Sequence, residues 1–369
     1  MKKVFVLVTS LALLHCHARY QPTQQPLKVI ELSGSAYNRG FIHGQTLQRE
    51  IRQIISQWSK ATEAKYGLPL NDIKDDFLRQ TDYVEAIKKW TPELLDEIKG
   101  IADGTGIDFD LIYLLQISEE LDNCAPHPDM FRCTSVSVNK TDNSPTIVAQ
   151  NMEPPRFLHG FPTLLHIKHE NAELESYVFT FPGFIGLNGL NNYAIGVTAN
   201  GLPDYYAKSE GLPVSFVIRG ILEKSTIIEA LDFIHKIDHA KAQCYTIGGQ
   251  DSAVCIECDA EHIFRFIPSG HPRLTYHTNH YLAADYPAEY CSRLATIKEE
   301  LLKRNYRIGY EDIKAILSSN TYNAGRPICH FNTYGCTIMV LSKKPELHIT
   351  PGRPDQVDFL MFDFNSRKH

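Results

Sequence analysis

The chain has 369 residues, of which 43% are hydrophobic and 22% are charged. This composition is typical of a soluble globular protein, and the length can hold one large domain or two smaller ones. The formal net charge is −6, and no run is rich in lysine or arginine. Both observations argue against a nucleic-acid partner.

The first 18 residues predict an export signal. Lys2 and Lys3 precede an apolar run over residues 4–14, and small residues follow at alternate positions up to Ala18. Such a run is too short to span a bilayer but matches a secretory signal peptide. We therefore expect cleavage after Ala18 and no integral membrane segment in the mature protein. The expected location is secreted or periplasmic, or lysosomal or extracellular if the source is eukaryotic.

Residues 19–132 predict a mostly helical segment. Apolar residues over 44–58 lie on one helical face. A second predicted helix begins at the N-cap Thr91 and ends near Gly104, and a third covers 110–120. Residues 123–130 contain two prolines and no periodicity, which indicates an exposed linker before Cys133.

Residues 133–369 predict strands and helices in blocks. Alternating polar and apolar residues predict a strand over 134–138, and a turn at 141–145 leads to a second strand over 146–151. Blocks of this kind favour an α+β fold with layers of sheet and helix. The other predicted strands are 164–169, 176–181, 184–187, 193–200, a block within 244–266, 274–278, 336–342, 346–349 and 359–364. The other predicted helices are 214–223, 226–237, 287–303 and 311–318.

The first hairpin draws attention to Cys133. Pairing about Asp142 would place Cys133 almost opposite Asn151, with Glu153 just beyond, so that a thiol, an amide and a carboxylate converge. Cysteine is a strong candidate nucleophile, but no motif ties any of the 16 histidines to it. A cut before Cys133 would supply its own α-amine as the base, with a pKa of about 7.7–8.0. The alternative is an ordinary buried core cysteine.

A metal site or cofactor is not expected. Cys255 and Cys258 form a single CxxC pair within a β-like stretch. Zinc requires a second pair of ligands, and no suitably spaced pair is present. Packing within a strand is the favoured interpretation of these two cysteines.

Six segments of the chain carry a family resemblance. They are residues 34–50, 133–135, 150–153, 186–188 with 195–200, 276–280, and 337–338 with 351–354. In this order they resemble the N-terminal nucleophile hydrolases of the acyl-coenzyme A:6-aminopenicillanic acid acyltransferase type. This group is also called the C45 peptidase family and is related to choloylglycine hydrolases and penicillin V acylases. The resemblance spans roughly residues 28–365.

The resemblance implies a four-layer αββα sandwich and self-cleavage between Arg132 and Cys133. Residues 19–132 would then remain bound, as a second chain, to the catalytic chain 133–369. Cys133 would be the nucleophile, Glu153 would take the family's aspartate position, and Asn200 and Asn279 would contact the oxyanion and the substrate. Arg293 and Arg326 were weighed as site arginines, and neither is included.

The predicted reaction is hydrolysis of a small linear acyl-amide through a thioester. Transfer of the same acyl group to an amine is an open alternative. Two further alternatives are an unprocessed thiol protease with a Cys-His pair and a secreted binding protein without activity.

Overall fold

The computed structural model describes residues 26–121, 132–170, 173–286, 291–321 and 327–364. The predicted signal peptide, the predicted linker at 123–130 and Arg326 lie outside these ranges.

Residues 26–121 form one strand followed by helices. The predicted helical character is confirmed, but a single helix over 44–58 is wrong because the helix breaks at Leu47. Thr91 is not an N-cap; its N–H bonds to the carbonyl of Ile87 and ends the preceding helix. The elements are β1 (Lys28–Gly34), α1 (Ala36–Thr46), α2 (Gln48–Tyr66), α3 (Leu70–Gln80), α4 (Tyr83–Trp90), α5 (Glu93–Thr105), α6 (Phe109–Gln116) and α7 (Ser118–Leu121).

The elements after residue 132 follow the predicted order closely. One strand prediction, 184–187, is wrong. Gly183 has φ +86°, the N–H of Phe184 bonds to the carbonyl of Phe181, and this turn delays the strand to residue 188. The strands are β2 (Thr134–Val138), β3 (Thr146–Met152), β4 (Thr163–His169), β5 (Glu175–Thr180), β6 (Asn188–Asn191), β7 (Gly196–Gly201), β8 (Gln243–Gly248), β9 (Ala253–Cys258), β10 (Ile263–Phe266), β11 (Leu274–His277), β12 (Gly335–Leu341), β13 (Glu346–Thr350) and β14 (Leu360–Asp363). The helices are α8 (Val214–Leu222), α9 (Ile227–Lys236), α10 (Ser292–Lys303) and α11 (Tyr310–Leu317).

The strands form two sheets. One has eight strands in the order β1-β4-β5-β6-β7-β8-β9-β10, and the other has six in the order β11-β2-β3-β12-β13-β14. The predicted hairpin is confirmed as β2 and β3, with Thr134 paired to Asn151. β1 joins the edge of the larger sheet in parallel with β4, so the N-terminal segment is part of that sheet.

The two sheets face each other with helices on both outer faces. At the interface, a Cβ on Gly196 would meet the side chains of Met339 and Leu341, and a Cβ on Gly248 would meet those of Leu341 and Val148, all from the opposite sheet. Buried residues of α8 and α9 pack with the eight-stranded sheet, and those of α10 and α11 pack with the six-stranded sheet. The predicted four-layer αββα architecture is therefore confirmed.

Helices α1 and α5 cross at backbone contact through two glycine pairs. Gly40 and Gly44 lie against the main chain of α5, and Gly100 and Gly104 lie against the main chain of α1. A Cβ on Gly40 would lie 1.8 Å from the carbonyl oxygen of Glu97. Only glycine permits this approach, which explains two GxxxG spacings in helices where glycine is otherwise unfavourable.

A buried ion cluster ties this helix pair to α8. The Glu97 carboxylate accepts hydrogen bonds from Arg219 at 2.6 and 3.0 Å and from Arg39 at 3.2 and 3.3 Å. All three side chains are buried. Because both guanidinium groups donate to the same carboxylate, the cluster links residues on both sides of Cys133 through buried, charge-assisted hydrogen bonds.

None of the described helices combines the length and the apolar composition that crossing a bilayer requires.

Candidate active site

Cys133 lies immediately before β2 and is held through its main chain. Its N–H donates to Oδ1 of Asn279 at 3.1 Å, and its carbonyl accepts from Nη1 of Arg293 at 2.5 Å. The preceding residue continues the hairpin pairing, since the N–H of Arg132 donates to the carbonyl of Glu153 at 3.1 Å. The peptide bond between Arg132 and Cys133 is therefore fixed on both sides.

Arg293 is the centre of the site, although the sequence analysis set it aside. Besides the Cys133 carbonyl, its guanidinium donates to Oγ1 of Thr134 and Oδ1 of Asn279, both at 2.8 Å. Nη1 also lies 3.6 Å from Oε2 of Glu153. The planar guanidinium thus orients three groups around the nucleophile in one geometry. Its position in the first turn of α10 brings it there, and no local motif signals that contact.

Glu153 is buried beside this arginine. Its Oε2 lies 3.1 Å from Nε2 of His330 as well as 3.6 Å from Arg293. The carboxylate therefore neutralises the cationic side of the site. The sequence analysis does not assign His330 to the site.

Asn200 and Asn279 approach the site from the ends of β7 and β11. Asn279 donates through Nδ2 to the carbonyl of Gly201 at 2.9 Å, which leaves its oxygen facing Cys133. Asn200 accepts from Nε2 of Gln150 at 3.2 Å through Oδ1. Within the described part of the chain, Nδ2 of Asn200 is buried without a hydrogen-bond partner. Asn279 thus presents an acceptor that Cys133 already occupies, whereas Asn200 presents a donor that is still available.

The predicted convergence of Asn151 with Cys133 is wrong. Nδ2 of Asn151 donates to the carbonyl of Leu317 at 2.8 Å, on the side of the helices. Successive side chains of a strand point to opposite faces, so it is Gln150 and Met152 that face the other sheet with Cys133. Gln150 therefore supplies the amide in the site.

A cavity opens beside the Cys133 thiol between the two sheets. Three of its described lining residues are polar or charged apart from the cysteine: Glu119, Gln150 and Gln243. The remainder of the lining is apolar or glycine. These residues are Met152, Pro154, Phe181, Leu187, Ala199, Gly201, Val214 and Ile218. Such a lining suits a small, mostly apolar group with one polar end.

The Cys133 thiol is protonated in the uncut chain. Burial raises its pKa to about 12, against a lowering by a hydrogen bond from the main chain of Glu153 and by the charge of Arg293. No described histidine makes a hydrogen bond with this thiol. A nucleophilic role requires that the thiol proton pass to another group.

A second thiol near the site, that of Cys291, has a lowered pKa, in contrast to Cys133. Burial raises the pKa of Cys291, but hydrogen bonding to His280 and the charge of Arg293 outweigh it, and that pKa falls to about 6. Cys291 lies 3.6 Å from Oγ1 of Thr278 and does not line the cavity. Reactivity toward alkylating reagents will therefore not by itself identify the nucleophile.

One set of metal-ligand atoms occurs in the described residues. The ligand atoms of Cys244, Cys255 and His277 lie within 4.8 Å of one another. Both ring nitrogens of His277 already have partners, the carbonyl of Thr278 at 3.0 Å and Oε1 of Glu257 at 2.9 Å. This imidazole can ligate a metal only if one of those bonds breaks.

The two cysteines of the CxxC sequence do not form a pair. The thiol of Cys255 contacts Cys244 at 3.1 Å, whereas that of Cys258 contacts Nδ1 of His239 at 3.5 Å. Residues three apart on a strand point to opposite faces. The sequence interpretation as strand packing agrees with this geometry.

A comparison with known protein families finds a match within this chain. Residues 164–325 match the family model described as acyl-coenzyme A:6-aminopenicillanic acid acyl-transferase. The resemblance inferred from the sequence is thereby confirmed.

Similar curated proteins cover part of the chain. It is 28% identical over 242 residues to Protein dcd1A of Dictyostelium discoideum, covering 59% of this chain and 54% of the relative. It is 22% identical over 225 residues to the beta-alanyl-dopamine/carcinine hydrolase of Drosophila melanogaster, covering 57% of each. The chain thus spans about half the length of the curated relatives it matches.

Among solved structures, the Caenorhabditis elegans ortholog of N-acylethanolamine-hydrolyzing acid amidase is similar, with a TM-score of 0.46 and 17% identity. This similarity covers 56% of this chain and 92% of that one. A conjugated bile acid hydrolase from Clostridium perfringens gives a TM-score of 0.38 and 12% identity, covering 64% and 99%.

Proposed function

We propose that this protein is a self-processing cysteine amidohydrolase whose nucleophile is Cys133. The observation that carries the proposal is the fixation of Cys133 through both its N–H and its carbonyl, with its thiol beside a cavity. An ordinary core cysteine does not need side-chain hydrogen bonds to its own N–H and carbonyl. A residue that becomes the catalytic N-terminus does require it, because its nitrogen must stay beside its own sulfur.

The first step is cleavage of the Arg132–Cys133 bond. The thiol of Cys133 attacks the carbonyl carbon of Arg132, and its proton passes to the nitrogen of Cys133. A thioester forms between that carbon and the sulfur, the C–N bond breaks, and the nitrogen leaves as an amine. Water then hydrolyses the thioester and releases the carboxylate of Arg132. The preceding chain remains attached through β1 and the Glu97 ion cluster.

The free α-amine then supplies the missing base. An α-amine has a pKa of about 7.7–8.0, so near neutral pH it can take the thiol proton. The sulfur attacks the amide carbonyl, and the amine of the substrate leaves with that proton. Water hydrolyses the resulting thioester and restores the thiol.

The neighbouring residues have distinct proposed roles. Nδ2 of Asn200 is suited to stabilise the oxyanion, because it is a buried donor without a partner. Oδ1 of Asn279 and the guanidinium of Arg293 hold the α-amine and carbonyl of Cys133. Glu153 balances the charge of Arg293 and so favours a protonated α-amine between the two proton transfers.

The comparisons support an amide as the substrate. The matched family is named for acyl transfer, and the Drosophila relative is named as a hydrolase of beta-alanyl-dopamine and carcinine. Hydrolysis and acyl transfer share the thioester and differ in whether water or an amine accepts the acyl group. Export of the protein through residues 1–18 is part of the same proposal.

Intact mass and N-terminal sequencing of the purified protein test the proposal directly. We expect two chains, with the larger beginning at Cys133, and a single uncut chain for Cys133→Ala. Cys291→Ala is the matched control, since it removes the other thiol near the site and should be processed normally. An uncut wild-type chain that hydrolyses amides would overturn the N-terminal nucleophile mechanism.

A further inference from the structure

We propose that Glu257 is a positioning residue, which holds Asn279 against Cys133 by binding the chain on both sides of that asparagine. This inference rests on the proposed function, in which Oδ1 of Asn279 holds the nitrogen of Cys133. Glu257 is not among the described residues that line the cavity, so its effect on the reaction would be indirect.

The first observation is that one carboxylate bonds before and after Asn279. Before it, Oε1 of Glu257 lies 2.9 Å from Nε2 of His277, the last residue of β11. After it, Oε1 accepts from the N–H of Leu282 at 2.6 Å, and Oε2 accepts from the N–H of Ala283 at 3.0 Å. The carboxylate thus closes a loop of chain that contains Asn279.

The imidazole of His277 extends this contact to the residue next to Asn279. A carbonyl oxygen can only accept, so Nδ1 of His277 donates to the carbonyl of Thr278 at 3.0 Å. That carbonyl belongs to the peptide bond that joins Thr278 to Asn279. The ring therefore links the carboxylate of Glu257 to the backbone of Asn279.

The second observation is that Asn279 contacts three separate segments. Its Oδ1 accepts from the N–H of Cys133 at 3.1 Å and from Nη2 of Arg293 at 2.8 Å. Its Nδ2 donates to the carbonyl of Gly201 at 2.9 Å. A small displacement of its backbone would lengthen all three bonds together, and catalytic geometry is sensitive to shifts of about 1 Å.

The third observation is the place of the pair in the fold. Glu257 lies on β9 of the eight-stranded sheet and His277 on β11 of the six-stranded sheet, so their contact joins the two sheets. Both side chains are 0% exposed. Apolar residues in place of a buried ion pair are often as stable or more stable. Stability alone therefore does not account for this pair, whereas a fixed position for Asn279 does.

Hydrogen–deuterium exchange of residues 278–283, measured by mass spectrometry on the purified full chain, tests this hold directly. In Glu257→Gln one carboxylate oxygen becomes an amide nitrogen, which donates and cannot accept. We expect exchange in this segment to be at least about tenfold faster than in the wild type, as is usual for the loss of hydrogen bonds to a charged group.

A double-mutant cycle distinguishes positioning from a general structural role. We expect Glu257→Gln to lower kcat for a hydrolysed amide about tenfold, with KM changed little. In an Asn279→Ala background the same substitution should change kcat by less than about twofold, because the residue through which it acts is absent.

Asp259→Asn is the matched control. Asp259 is also buried, and its Oδ1 accepts from the N–H groups of Glu261 and His262 at 2.8 and 2.7 Å. It thus holds a different turn from a position two residues beyond Glu257. Its substitution should speed exchange in residues 259–262 and leave both kcat and residues 278–283 nearly unchanged.

Two results would overturn the inference. One is unchanged exchange of residues 278–283 in Glu257→Gln, and the other is an equal fall of kcat with and without Asn279. His277→Gln is a second variant in case Glu257→Gln does not fold, and it should also speed exchange in this segment. An uncut and inactive wild-type protein would contradict the proposed function instead, and the exchange result would still decide whether Glu257 holds the segment.

Discussion

Two buried arginine–carboxylate groups in this protein differ in what surrounds them. In the Glu97 cluster, Arg39 and Arg219 make four hydrogen bonds to one carboxylate at 2.6–3.3 Å. In the Cys133 site, Arg293 is 3.6 Å from Glu153 and makes its shorter bonds to neutral acceptors.

The difference separates a structural ion cluster from a candidate active site. In the Glu97 cluster both guanidinium groups donate directly to the one carboxylate, and the cluster lies among packed helices. In the Cys133 site, the guanidinium of Arg293 positions Cys133 and its neighbours. Among the described residues, Nδ2 of Asn200 and Oε1 of Gln243 are buried there without a hydrogen-bond partner. Buried charge alone therefore does not mark a functional site, whereas unsatisfied groups around a cavity do.

Removal of the Glu97 charge should have the largest effect on stability. Glu97→Gln leaves two buried guanidinium groups without a counterion, and we expect the free energy of unfolding to fall by about 3–5 kcal/mol. Urea denaturation of the wild type and the variant measures this difference in the free energy of unfolding. The control is Glu85→Gln, which breaks an exposed ion pair with Lys88 and should change little. Equal effects of the two substitutions would show that the Glu97 cluster is not a stabilising element.

Arg293 should affect activity much more than stability. Arg293→Lys keeps a positive charge but loses the planar fork that reaches both the Cys133 carbonyl and Asn279. We expect kcat/KM for an amide to fall about 100-fold, and processing at Cys133 to slow.

The matched control for that change is Arg39→Lys, which should lower the midpoint of thermal unfolding and leave kcat unchanged. If Arg39→Lys reduces kcat as much as Arg293→Lys does, the distinction between the two arginine groups is lost.

The sequence predicts the parts of this protein that depend on short-range patterns. Alternation predicts the β2–β3 hairpin, and the helix predicted over 226–237 corresponds to α9, which begins with a capping box of Thr226 and Glu229. The layer architecture followed from the family resemblance. The hairpin pointed to Cys133, and the resemblance added Asn200 and Asn279 and matched Glu153 to the family's aspartate. Asn279 contacts Cys133 and Asn200 contacts Gln150 of the cavity lining, while the catalytic roles of these residues stay predictions.

The parts that escaped prediction depend on contacts between distant segments. Arg293 reaches Cys133 across 160 positions, and Glu119 reaches Gln243 across 124. The error over Asn151 has a more local cause, because the register placed it correctly while strand alternation turned its side chain toward the helices. An inspection of alternate positions on β3 would have selected Gln150.

The pH dependence of stability should report on the region around Glu97. His43 is buried nearby and accepts a hydrogen bond at Nε2 from the N–H of Gly183 at 2.9 Å, so its ring must be neutral. Burial lowers its pKa to about 4 from an ordinary 6.5, although the charge of Glu97 acts in the opposite direction. The unfolded state therefore binds the proton more readily, and stability that is complete above pH 6.5 declines as the pH falls toward 4.

This loss should reach about 3 kcal/mol and should disappear in His43→Gln, which keeps an acceptor for Gly183 but does not titrate. Urea denaturation between pH 4 and 7 gives the two curves. The variant is needed because burial also lowers the pKa of His169 and His239 to about 4. If the free energy of unfolding changes with pH in the same way in the wild type and in His43→Gln, His43 does not cause the pH dependence.

The glycine contact between α1 and α5 gives the smallest of these effects and concerns packing alone. Gly40→Ala places a Cβ 1.8 Å from a main-chain carbonyl, which no side-chain rotation relieves, so the helices must separate. We expect a loss of about 2 kcal/mol in the free energy of unfolding, typical of overpacking. Gly309→Ala is the control, because a Cβ there meets no atom within 4 Å and φ is −122°. If Gly40→Ala is tolerated as well as Gly309→Ala, the helix pair can shift without cost. The position of the Glu97 carboxylate, which lies on α5, would then not depend on the close contact between α1 and α5.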